Sequence, residues 1–315
     1  MTFSYEEAWV ASEDTSLAVI HCQHLQLVAS ANGRMHTKDP NLQNVSKEVV
    51  IHAPSGQRSV LTPRACFRPS EGCVLVAVDF RQIELRMLAH FRQDEQLLLA
   101  FRGGADPFAL MAASTHGIEV AAVSGEQREQ VKAATYKFIY GCGSATIAKE
   151  LGMQVDEAKV WLPQGHSSHP GVKRYIKEAY ATCRRVGYIE TIGGRRRQIE
   201  SLRSSDSEDV AKGERQALNS IMQGSAADVF KQAMVRVDAA LRADNLQDDA
   251  LSTRSGRLVL AVHDELIFEV EAAGASKLRR IVREAMVGAW PGLRVPLEVT
   301  TKQGLSWGEL EDVMD

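Results

Sequence analysis

The sequence predicts an α+β fold, an antiparallel sheet with helices packed to one side and a helical insertion. Three observations predict it. Two apolar, β-branched runs, "CVLVAVDF" at 73–80 and "LVLAVHDELIFEV" at 258–270, have the length and alternation of buried strands. Between them, residues 92–190 carry mostly helical spacing. The pattern "GERQALNSIMQGSAADVFKQAMVRVDAAL" at 213–241 then reads as one long helix. Strands and helices that segregate along a chain, instead of alternating regularly, point to this class.

Residues 1–70 carry turn signals at "ANGR", "KDPN" and "APSGQ" and read as short strands and loops. "CVLVAVDF" is a buried strand, and "IELRMLAHF" after it is a helix, because Ile83, Met87 and Phe91 recur every four residues. The helices that follow break at "GGADPF" and "VSGEQR". They break again at "WLPQGHSSHP", where Pro163 and Gly165 are poor helix residues. "YIETIGGRRRQI" reads as a hairpin, and polar "RADNLQDDALSTRSGR" at 242–257 as a loop after the long helix. In the last hairpin His263, Asp264 and Glu265 form the tip, although no Asn-Gly or Asp-Gly turn is present.

The 315 residues are 44% hydrophobic and 24% charged, enough for a substantial core and unlike a disordered or fibrous chain. A net charge of -3 announces no nucleic-acid partner globally, so any basic footprint must be local. The five cysteines form no CxxC pair, which argues against a zinc site or disulfide framework and for a reducing compartment. No membrane span or secretory leader is read, so a soluble, intracellular protein is expected.

Asp79 closes the first strand and Asp264 lies in the hairpin tip. Two aspartates on neighbouring strand ends could hold a pair of divalent cations roughly 3.5–4 Å apart, and hard oxygen ligands suit Mg²⁺. In "REQVKAATYKFIYG", Arg128, Lys132, Tyr136 and Tyr140 recur every four residues and share a helix face. Cations there would clamp phosphates and the aromatic rungs would offer flat surfaces to a sugar or base. The bare spacing also fits an amphipathic helix with solvated cations and core tyrosines. Arg34, the Arg195–Arg197 triplet, and Arg215, Asn219 and Gln223 on one helical face suit a binder that tracks a duplex backbone and minor groove. Ordinary surface polarity accounts for each of them singly.

Taken in order, these segments resemble the family A DNA polymerases. "VAVDFRQIELR" is similar to the family's first signature, "REQVKAATYKFIYG" to its fingers-helix signature, and "VHDEL" to the third. "GR" at 33–34, "PNLQN" at 40–44, "GRRR" and "QGSAAD" are further family hallmarks, and "SWGEL" at 306–310 resembles the theta and nu branch. The resemblance implies a right-hand palm (an antiparallel sheet with helices) at 1–90 and 209–315 and helical fingers at 91–208. The chain starts where the family's palm starts, so the thumb and exonuclease-like domain are expected to be absent.

The same resemblance implies the roles. Asp79 and Asp264 would be ligands of two Mg²⁺ ions, with Mn²⁺ as a substitute, and Glu265 would support them. Lys132 and Arg128 would hold the triphosphate, and Lys132 would also protonate pyrophosphate. Tyr136 would stack by the incoming sugar, Tyr140 near the template base, and His263 near the primer end. Glu84 would be the steric gate against a 2′-hydroxyl, with Gln82, Ile83 and Arg86 around the pocket. DNA contacts would fall to Arg34, Asn41, Gln43, Asn44, Arg86, Arg195, Arg196, Arg215, Asn219 and Gln223. The partners would be primer-template DNA and dNTPs, with no membrane, acting as a monomer in repair or replication. The theta-like ending suggests the nucleus, with the mitochondrion or a bacterial cytoplasm as other settings.

Two positions depart from the family pattern: Arg81 replaces its usual Ser, and Lys137 replaces a small residue, which suggests lowered fidelity. A thumbless chain that binds nucleic acid with weak or no catalysis is the alternative. A single-subunit RNA polymerase is disfavoured by Glu84.

Overall fold

The computed structural model describes residues 24–26, 30, 32–38, 41–52, 58–92, 95–139, 142–164, 171–247 and 256–313. The chain divides into two compact units, Met1–Arg81 with Phe230–Trp290 and Leu297–Asp315, and Gln82–Val229 with Pro291–Pro296.

The first unit opens with short antiparallel pairs, as the turn-rich sequence predicts. β1 (His24–Gln26) pairs with β2 (His36–Lys38), and β3 (Val49–His52) with β4 (Arg58–Leu61). Between the pairs Asn41 caps a short 3-10 turn, Leu42–Asn44, accepting the Gln43 N–H at 3.1 Å. β5 (Cys73–Phe80) follows, apolar on both faces and buried along most of its length. Burial on both sides explains why this strand reads as a continuous apolar run rather than an alternating one.

The second unit is mostly helical. α1 (Ile83–Arg92) and α2 (Glu95–Arg102) precede α3 (Pro107–His116), which Asp106 caps by accepting the Phe108 N–H at 3.0 Å. The predicted break at "GGADPF" is therefore a helix start, with Pro107 in the first turn where its missing N–H costs nothing. α4 (Gly125–Ile139) begins in a reciprocal cap: Ser124 Oγ accepts the Gln127 N–H at 3.2 Å and Gln127 Oε1 accepts the Ser124 N–H at 2.9 Å. α5 (Ser144–Leu151) and α6 (Val155–Gln164) follow, and α6 ends one residue after Pro163. Of the break expected at "WLPQGHSSHP", Pro163 still lies within α6, and residues 165–170 lie outside the described residues. After α7 (Gly171–Val186) comes the predicted hairpin, β6 (Tyr188–Glu190) against β7 (Arg196–Gln198). Within this unit the segment Pro291–Pro296 is held by basic side chains. Arg86 donates to the Pro296 carbonyl, Arg102 to the Arg294 carbonyl at 3.0 Å, and His90 Nδ1 accepts the Arg294 N–H at 3.2 Å.

The long helix, α8 (Ser207–Gln247), contributes to the second unit up to Val229 and to the first from Phe230. It corrects the sequence reading, because the polar stretch taken as a loop from residue 242 is still helical through Gln247. Asp238 pairs with Arg242 one turn on at 2.9 Å, and Asp244 binds Lys277 at 2.9 Å. The polar residues here make ion pairs, one within α8 and one to Lys277 further along the chain, instead of marking a turn.

β8 (Arg257–Val262) and β9 (Glu265–Glu271) form the last hairpin, followed by α9 (Ala275–Val287), β10 (Val299–Gly304) and β11 (Glu311–Asp312). The sheet order is β11-β10-β5-β9-β8, antiparallel throughout. α9 packs on β5, β9 and β10 through buried Ala275, Leu278, Val282, Ala285 and Met286, one stripe of a helix. Phe80 meets Phe230 of α8 edge-on, with ring centroids 6.4 Å apart. Alternation puts Leu75 and Ala77 on the opposite face of β5, clustered with Leu260, Val262, Ile267 and Trp307. No helix among the described residues is long and apolar enough to cross a membrane.

Candidate active site

Asp79 follows the alternation of Leu75 and Ala77 and so emerges on the Trp307 face of the sheet, at the end of β5. Register sets its neighbours: Asp79 lies opposite Glu265 on β9 and Thr300 on β10. The Phe80 N–H donates to the Asp264 carbonyl at 3.3 Å, which fastens the hairpin tip beside the strand end. Asp79 and Asp264 are thus held on adjacent strand ends. The tip is shorter than the sequence suggests, because Glu265 already belongs to β9 and only His263 and Asp264 turn. His263 takes φ 57°, the left-handed conformation that a turn glycine would otherwise supply. Gln82, at φ 55°, is the other non-glycine in that region among the described residues, three positions after Asp79. Such outliers cost about 1–3 kcal/mol each and concentrate at functional sites.

A cleft of about 590 Å³ opens over these carboxylates, lined also by His263, Glu265, Lys47, Arg64 and Lys302. Burial pushes the Glu265 carboxyl above the usual carboxylate range, against the pull of Arg64, Lys47 and Lys302. Burial likewise lowers the Arg64 guanidinium, offset by Glu265. Arg64 donates to the Val45 carbonyl at 3.1 Å and stacks over the Trp307 ring at 4.2 Å. Sequence reasoning missed Lys47, Arg64, Lys302 and Trp307 as parts of the cleft. "SWGEL" was the one available signal, and it was read for branch rather than position. Among the described residues no group of three or more His, Cys, Asp or Glu is arranged around a point. Asp79 and Asp264 both line the cleft, and a pair of carboxylates completed by water and substrate phosphate is a donor set that suits Mg²⁺. The residues fit that ion.

In the second unit α4 carries Arg128, Lys132 and Tyr136 on one face, as the four-residue spacing predicts. Tyr140 lies outside the described residues. Arg128 pairs through Nε with Asp106 and through Nη1 with Glu129, which also binds Lys132 at 3.0 Å. The bond to Asp106 leads the causes that raise the Arg128 guanidinium further. Tyr136 packs against Phe108, centroids 5.9 Å apart. Lys137 forms an ion pair with Glu150 of α5. Glu84, Ile83 and Arg86 are all buried at the start of α1, and Arg86 also lies over the Phe101 ring at 4.4 Å. In the first unit Arg81 pairs with Glu298 at 3.1 Å.

The residues expected at DNA divide by environment. Asn44 and Arg215 are exposed and Arg34 is half-buried beside Gly33, which adopts φ 80°. Gln43 instead spans to the Ala261 carbonyl at 3.2 Å, tying its loop to β8. Arg195 binds Asp228 at 3.1 Å and the Gly224 carbonyl at 3.1 Å, whereas Arg196 is exposed over the Tyr188 ring and paired with Glu190. A Cβ at Gly193 would stand 2.9 Å from Asp228 Oδ2, so a larger residue there would have to push that carboxylate aside. Gln223 is buried, and the Asn219 Oδ1 is buried without a hydrogen-bond partner.

Comparison with known proteins converges on one family. The family model described as DNA polymerase family A matches residues 4–309. DNA polymerase I of Chloroflexus aurantiacus is 38% identical over 291 residues, 92% of this chain and 29% of that protein. DNA polymerase theta of Drosophila melanogaster is 36% identical over 295 residues, 93% of this chain and 14% of that protein. The chain thus spans less than a third of the curated relatives it matches. Among solved structures, the POL domain of Pol1 from M. smegmatis, in complex with DNA primer-template and dNTP, aligns with a TM-score of 0.78 at 36% identity, covering 91% of this chain and 48% of that one. A match along nearly the whole sequence, together with carboxylates on neighbouring strand ends and a cationic helix face, leaves one conclusion: the chain belongs to DNA polymerase family A.

Proposed function

We propose that this chain is the catalytic part of a template-directed DNA polymerase, transferring dNMP to a primer 3′-hydroxyl with release of pyrophosphate. The observation that carries the reading is the placement of Asp79 and Asp264 on adjacent strand ends over an open cleft. Two Mg²⁺ ions, with Mn²⁺ as a substitute, would be held by these two carboxylates and would supply activation of the attacking hydroxyl and charge neutralisation at the phosphate. Phosphoryl transfer asks a protein mainly for position and charge. Arg128 and Lys132 hold the triphosphate, and Lys132 has a proton to give the departing pyrophosphate. Tyr136 stacks by the sugar, Glu84 excludes a 2′-hydroxyl, and Gln82 and Ile83 support the pocket. His263 lies near the primer end, and Glu265 supports the two aspartates from beside them. Arg34, Asn41, Asn44, Arg196, Arg215, Asn219 and Gln223 track the primer-template duplex, with Gln43, Arg86 and Arg195 shaping the elements that present them. In this reading the palm is residues 1–90 and 209–315, the fingers 91–208, and the setting is repair or replication, nuclear by the theta-like ending. The test is primer extension with Mg²⁺ and dNTPs, wild type against Asp264→Asn. Incorporation by the wild type and its loss in a folded variant support the reading. Equal incorporation by both overturns it.

A further inference from the structure

On α4 a single carboxylate occupies both cations of the face. Glu129 Oε1 meets Arg128 Nη1, and the two Glu129 oxygens lie 3.3 and 3.0 Å from Lys132 Nζ. The contact with Lys132 is the ordinary i,i+3 adjacency of a helix, so it is available whenever α4 is formed. Asp106 binds the same guanidinium from α3, and with it the charges of this patch cancel. A face meant for a polyanion is neutral at rest.

The two acids are not equivalent. Asp106 is committed elsewhere, since it caps α3 by accepting the Phe108 N–H, and the Phe108 ring lies 5.7 Å from the guanidinium. Glu129 has 58% of its side chain exposed and makes its contacts at the end of a flexible stem. Swinging it into solvent leaves Arg128 still anchored by Asp106. We propose that Glu129 is a built-in counter-anion of Arg128 and Lys132, displaced by the phosphates of an incoming nucleotide and returning as pyrophosphate leaves. The proposal rests on the reading of this face as the triphosphate seat. Its consequence is that Glu129 weakens anion binding and hastens product release. Exposed ion pairs are modest, so the competition is worth about three- to ten-fold in affinity.

Inorganic tripolyphosphate, titrated calorimetrically without metal, tests this independently of turnover. Glu129→Gln should bind it about five-fold more tightly than the wild type, and Arg128→Gln and Lys132→Gln more weakly. In primer extension the same Glu129→Gln should lower KM for dNTP and make pyrophosphate inhibit at lower concentration. Unchanged or weaker binding by Glu129→Gln, with binding lost in the two cation variants, overturns the counter-anion. Unchanged binding in the cation variants overturns the triphosphate seat itself. Glu129→Asp, which keeps the charge but withdraws it from Lys132, should fall between wild type and Glu129→Gln, and it decides the matter should the glutamine variant misfold.

Discussion

Two sets of charges serve the proposed reaction, and they are mounted differently. Asp79 is a short side chain at a strand end and Asp264 one in the turn beside it, held together by the register of Asp79 with Glu265 and by the Phe80 bond to the Asp264 carbonyl. Arg128 and Lys132 carry their charges at the ends of long side chains on a half-exposed helix face, paired with Asp106 and with the exposed Glu129. The difference follows from what each set must hold. Metal ions need closely held donors, and side chains on or next to a packed sheet are held more precisely than those on free loops. A triphosphate must arrive and leave, which suits mobile cations with temporary partners. The left-handed His263, next to Asp264 in the turn, falls on the rigid side of this contrast.

The largest expected effect tests the rigid set. Asp79→Asn keeps the shape and removes the charge, so the melting curve should persist while primer extension falls on the order of 10³-fold. Activity retained within ten-fold would mean that the strand-end pair is not the metal site. Next comes the mobile set: Arg128→Ala should lower kcat/KM for dNTP about 10²-fold, mostly through KM, because the binding it removes is present before the chemistry begins. An effect confined to kcat would move Arg128 to the rigid side.

The arginine triplet repeats the contrast on a smaller scale. Arg195→Ala strips a largely buried Asp228 of its cation and should destabilise the protein by about 1–3 kcal/mol in urea titration. Arg196→Ala should leave that curve in place and instead reduce the salt slope of duplex binding by about one. Exchange of these two outcomes would reverse the assignment. The smallest effect concerns the Pro291–Pro296 segment. Burial first, then the nearby Arg294 charge, hold the His90 imidazole below its ordinary value. Its neutral form is favoured in the folded state, so the stability it contributes is complete above about pH 6.5 and is lost as the pH falls toward the lowered folded value. His90→Gln should flatten that acid limb of Tm against pH, and an unchanged limb would assign it to other groups.

Much of this was legible beforehand. β5 matched its apolar run residue for residue, and α4 began at its predicted break, because apolar runs and caps are local signals that adjacent residues carry. The end of α8 was misread since Asp244 finds its partner, Lys277, on another helix. The missing turn glycine in the hairpin was flagged correctly and resolved by His263 itself, a conformation that residue identity does not announce. Lys47, Arg64 and Lys302 went unread because three isolated cations, far apart in the chain, carry no spacing to recognise.

Most of the strands and helices, and the family, could be read from the sequence. Periodicity and ordered motifs are properties of neighbours along the chain. Which charged side chains are already paired with one another shows only in the folded chain. Arg195 is bound to Asp228, Arg86 to the Pro296 carbonyl, and Arg128 and Lys132 share Glu129. An ion pair is a matter of a few ångströms in space, and linear distance says little about which acid will stand beside which base.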